Sequence, residues 1–157
     1  MHAAESILIY AYGNPGRQDD GLGNRLIEEL DKWIESQGIE GIELESNWQL
    51  NIEDALKIAD TDIVIFIDAS NEDIEDIDFS VVEPSEGRSD FTTHSASPSF
   101  ILALCIQLYG KHPKTWLLQI RGYSWEFQEG LSEKAEKNLL KALEFLKGKL
   151  VYNPPRV

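Results

Sequence analysis

A chain of 157 residues is sized for one domain whose single core buries about 70% of the unfolded surface. Its 28 acidic residues outnumber 14 Lys and Arg, a net charge of −14, which disfavours nucleic acid because phosphate-backbone binding needs a cationic surface that releases counterions. One cysteine, Cys105, excludes an internal disulfide framework and suits a reducing compartment.

The leading MHAAES has no basic flank, and no run reaches about 18 apolar residues. A cytoplasmic protein with no membrane contact is expected, and a monomer. The organising stretch is ILIYAYGNPGRQDDGLGNRLIEEL, residues 7–30. Ile7, Leu8, Ile9 and Tyr10 form a continuous apolar run that predicts a strand covered on both faces. Gly13, Asn14, Pro15 and Gly16 then impose a turn. Leu22, Leu26, Ile27, Leu30, Trp33 and Ile34 recur at helical spacing, so a helix is predicted from about Asp20. A phosphate cradle is disfavoured here: GxGxxG is absent, no Lys is present, and the neighbouring Asp19 and Asp20 would repel an anion. Either acid can instead cap the helix, a role expected chiefly of Asp19.

Residues 42–47 alternate as a second strand, and 52–59 can form a short helix. Trp48 and Gln49, just past that strand, are candidates for peptide contact. IVIFIDAS, residues 63–70, predicts the central strand, with Asp68 at its carboxyl end, where an acid must be solvated, paired or metal-bound. From Asn71 to Asp90 the acidic composition reads as a solvated loop face, or as a dock for a basic partner. Within it, residues 79–84 can make an edge strand ended by Pro84. Ser97 is a plausible N-cap and Pro98 a first-turn residue of a helix that is apolar almost all round and therefore expected to be buried. Cys105 falls inside that helix as inert core. His94 precedes it in a polar loop, where a lone histidine is ordinarily a structural hydrogen-bonder.

Residues 114–122 predict another strand. The loop after it carries Trp125 and Phe127, aromatic residues that either line a groove or seal the core rim. Ser132 caps a last helix whose apolar stripe is Ala135, Leu139, Ala142, Leu143, Leu146 and Leu150. The pattern implies an α/β single domain: a mostly parallel twisted sheet of about five strands with helices on both faces. Parallel topology brings Asp20, Asp68 and His94, from three strand-to-helix connections, to one rim. Two carboxylates and an imidazole suit nickel, zinc or another divalent cation.

GNPGRQDDGLG resembles the signature of the hydrogenase maturation endopeptidases, which trim a C-terminal extension from the nickel-loaded large-subunit precursor of nickel-iron hydrogenases. GNPG also opens the peptidyl-tRNA hydrolases, but QDDGLGN stands where that family carries a histidine in a TRHN-like segment. The maturation endopeptidases place an acid in the first turn, an aspartate after a central strand and a histidine before a buried helix, and Asp20, Asp68 and His94 align with these in order. The match spans nearly the whole chain, read as one domain over 1–157, and FQEGLS resembles the branch serving soluble bidirectional hydrogenases. The resemblance implies a peptidase whose catalytic and metal-contacting residues are Asp20, Asp68 and His94. Its partner would be the large-subunit precursor, and its ion the nickel carried by that precursor or another divalent cation such as zinc. A module that binds the nickel-loaded precursor without cutting it would use the same trio.

Overall fold

The computed structural model describes residues 5–85 and 96–152. Among these, the strands are β1 (Ile7–Tyr12), β2 (Ile42–Asn47), β3 (Ile63–Ser70), β4 (Ile77–Val81) and β5 (Lys114–Arg121). The helices are α1 (Leu22–Gln37), α2 (Asp54–Ala59), α3 (Pro98–Tyr109) and α4 (Glu133–Tyr152). The sheet order is β2-β1-β3-β5-β4. All pairings are parallel except that of the edge strand β4 with β5.

Side-chain alternation along the central strands divides the core in two. Ile7, Ile9, Ala11, Ile65, Ile67, Leu118 and Ile120 face the layer formed by α1 and α4. Leu8, Tyr10, Val64 and Phe66 face the other way, toward Ala55 and Ile58 of α2 and Ile101, Leu102 and Cys105 of α3. Both faces are covered, which is why β1 and β3 read as unbroken apolar runs rather than alternating ones. The predicted stripe of α4, from Ala135 to Leu150, is buried throughout.

Three expectations need correction. α1 begins at Leu22 rather than near Asp20, because a single 3-10 turn, Gln18–Gly21, precedes it. The edge strand lies at Ile77–Val81, two residues earlier than its apolar pattern suggested, because its register is set by pairing with β5. α3 is not buried all round: Ile101, Leu102 and Cys105 are buried, whereas Leu108 is 60% exposed and Tyr109 is also exposed. Its apolar composition exceeds what one sheet face and α2 cover among the described residues. The Ser97 hydroxyl does cap it, accepting from the Phe100 N–H at 3.2 Å.

Candidate active site at the carboxyl rim

β1 has β2 on one side and β3 on the other, so the chain leaves the β1/β3 boundary in opposite directions, the switch point at which open α/β sheets form a crevice. Asp20 lies in the turn after β1, and Asp68 lies two residues inside the end of β3. The register pairs Ala11 with Ile67. One step further, Tyr12 and Asp68 are level and on the same sheet face. The Tyr12 hydroxyl and the Asp68 carboxylate interact there.

Asp68 is half-buried, and burial is the main reason its carboxyl is pushed up to about 7, with the negative charge of Asp20 adding to it. The Tyr12 hydroxyl and the Ala69 N–H favour the ionised form and limit the rise. Burial, and then Asp68, hold the Tyr12 phenol well above its ordinary value, so it remains a donor at physiological pH. Asp20 accepts from the Asn14 N–H at 2.9 Å. Neither acid belongs to an ion pair with Lys or Arg among the described residues. Two coupled carboxylates without a cationic partner fit a divalent cation by charge and donor type. Among the described residues no third His, Cys, Asp or Glu joins them to make a cluster able to hold a metal. His94, the expected third member, lies outside the described residues.

Asp19 has a different task from the capping role expected of it. The residue before α1 is Gly21, and no side chain caps that helix. The Asp19 carboxylate is fully buried and accepts from the N–H groups of Tyr123 (2.7 Å), Ser124 (2.9 Å) and Ser132 (2.7 Å) and from the Ser132 hydroxyl (2.7 Å). Burial alone would raise its pKa. The donors, led by Ser132 and Tyr123, outweigh that and hold it below the usual carboxylate range. Ser132 is also the predicted cap of α4, its hydroxyl accepting from the Ala135 N–H at 3.2 Å. The carboxylate thus joins the acid turn to the start of the last helix, a tie between residues 113 apart that no local pattern announces.

Two glycines permit the close approach. A Cβ at Gly13, where φ is +153°, would stand 2.0 Å from the Asp20 carbonyl oxygen. At Gly122 it would stand 2.7 Å from the Asp19 Cβ and 2.9 Å from the Trp125 ring. Trp125 therefore seals the rim, whereas Phe127, in the same loop, is 85% exposed. Further bonds brace the turn. Gly13 N–H donates to the Asn47 carbonyl at 3.0 Å, Gln18 N–H to the Gln128 carbonyl at 2.9 Å and Asp19 N–H to the Ser124 carbonyl at 3.0 Å. Gln18 holds a left-handed φ of 44°, the only described non-glycine residue to do so, and its side-chain oxygen accepts from the Glu126 N–H at 2.9 Å.

Two grooves of about 440 and 460 Å³ lie at the amino ends of the strands, around Ser6, Asp60, Thr61 and Lys114. They share no residue with the acid rim. Cys105 is inert as expected, its thiol pushed up by burial and donating to the Lys111 carbonyl at 3.3 Å. Among the described residues no helix is long and apolar enough to cross a membrane.

No family model matches this sequence, and no curated protein does. Solved structures do. A [NiFe] hydrogenase maturation protease HycI from Thermococcus kodakarensis KOD1 is similar at a TM-score of 0.72 and 21% identity, over 94% of each chain. The hydrogenase maturating endopeptidase HybD from E. coli is similar at 0.69 and 22%, over 96% of this chain and 98% of that one. A hydrogenase 2 maturation peptidase from a Thaumarchaeota archaeon is similar at 0.66 and 19%, over 94% and 99%. With five mostly parallel strands, helices on both faces and near-complete coverage of these relatives, the chain has the fold of the hydrogenase maturation proteases.

Proposed function

We propose that this protein is an endopeptidase of hydrogenase maturation, removing a C-terminal extension from the nickel-loaded large-subunit precursor of a nickel-iron hydrogenase. The observation that carries the reading is the convergence of Asp20 and Asp68 at the switch point of a hydrogenase-protease fold. Asp20, Asp68 and His94, which stands four residues before α3 in the chain, contact the nickel of the precursor. That contact verifies loading and sets the neighbouring peptide bond against the rim. A zinc or other divalent cation would meet the same donors.

Hydrolysis uses a water activated at the rim by metal or carboxylate. Asp68, whose carboxyl is pushed up to about 7 without a cation, would meet one as the carboxylate, its proton released to solvent, and the Tyr12 hydroxyl favours that ionised form. Incubation with nickel-loaded and nickel-free precursor, followed by mass spectrometry, tests the reading. A shortened product from the loaded precursor alone is expected, abolished by Asp20→Asn, Asp68→Asn or His94→Ala. An intact loaded precursor would leave a binding module that does not cut.

A further inference from the structure

Two exposed aromatic side chains each neighbour a residue that hydrogen-bonds to the acid turn. Asn47 accepts from the Gly13 N–H, and the next residue, Trp48, is 71% exposed. Gln128 accepts from the Gln18 N–H, and the residue before it, Phe127, is 85% exposed. Gln18 grips Phe127 from both flanks, since its side chain also takes the Glu126 N–H, and it holds a left-handed backbone to do so. The Arg17 guanidinium lies 5.8 Å from the Phe127 ring centre. Aromatic side chains are enriched among the anchor residues of protein interfaces, and these two lie beside the acid turn.

Trp48 follows β2 directly, Asp20 lies in the turn after β1 and Asp68 near the end of β3, and the Gln18–Gln128 bond brings Phe127 to the same turn. We infer that Trp48 and Phe127 are paired anchors for the protein substrate, gripping an extended segment beside the acids. The segment carries bulky apolar side chains to meet them. It lacks acids of its own, because Asp20, Asp68, Glu126 and Glu129 all face the same end of the sheet in a chain of net charge −14.

The inference rests on the maturation-protease reading, so binding and cleavage are measured separately on nickel-loaded hydrogenase large-subunit precursor. Trp48→Ala and Phe127→Ala are each expected to weaken binding about tenfold or more. Nickel affinity of the free protein and its thermal midpoint should not change. Leu140→Ala, which trims an apolar residue 61% exposed on α4, is the control and should bind as the wild type does. A double Trp48→Ala/Phe127→Ala variant that binds normally overturns the anchors, as does a Leu140→Ala loss of equal size. If the wild type binds without cutting, the peptidase reading falls and the anchors are still judged by the variants. A wild type that neither binds nor cuts removes both.

Discussion

Asp19 and Asp20 are adjacent in the chain and face opposite partners: Asp19 is wholly buried under four donors from the β5–α4 loop, while Asp20 takes the Asn14 N–H and faces Asp68 across the switch point. The first acid fixes the turn, and the second is thereby aimed. A dipeptide that reads as two interchangeable charges is a brace followed by a candidate ligand.

Asp19→Asn retains the shape but puts an amide donor against N–H donors, leaving buried groups unpaired. A loss of roughly 3 kcal/mol is expected from urea unfolding at pH 7. The sign with pH follows from the lowered carboxyl. In the wild type, this stabilisation is present above the unfolded aspartate value of about 3.9 and is lost as pH falls through the folded value. The variant should lack that acid-sensitive component; equal stability of the two proteins at pH 7 would contradict the brace.

Asp68 behaves oppositely. Its folded value near 7 lies above the unfolded value of about 3.9, so its contribution to stability is complete below about pH 4 and is lost as pH rises through 7. Asp68→Asn is neutral at every pH. In the presence of a chelator it should be more stable than the wild type at pH 8 and comparable at pH 4, measured by urea midpoints. A wild type that gains on the variant with rising pH would refute this.

Tyr12→Phe removes the hydroxyl that favours ionised Asp68. The carboxyl should rise above 7, and nickel binding, which requires the carboxylate, should move to higher pH. Calorimetric titration with nickel at pH 6, 7 and 8 reads the shift. An unchanged or lower midpoint would separate Tyr12 from the ligand set.

Gly13→Ala drives a Cβ into the Asp20 carbonyl and toward the Asn24 amide oxygen, 3.4 Å from the same point. The turn cannot yield without moving Asp20. A destabilisation of about 3 kcal/mol or more is expected, together with loss of nickel binding. Normal nickel affinity in a destabilised variant would show that the turn does not set the acid.

The sheet and its helices were legible because apolar runs of β1 and β3 and the stripes of α1 and α4 encode burial directly in residue type. The placement of Asp68 near the end of one such run and of Asp20 in the turn after another was legible too. The partners of Asp19 were not, since a carboxylate bonded to backbone N–H groups leaves no trace in the residue types of its donors. Tyr12 was missed for a related reason. It extends the β1 run like any aromatic core residue, and only the β1/β3 register places its hydroxyl on Asp68. The exposed side of α3 was hidden because composition reports how much apolar surface a helix has, not how much of it the layer can cover.

The brace of Asp19 is built from residues 104 to 113 positions downstream. A nascent chain emerging from the ribosome therefore displays both acids well before it holds the groups that aim them. The frame arrives with the last strand and helix, so an unfinished polypeptide bears both acids without the groups that position them.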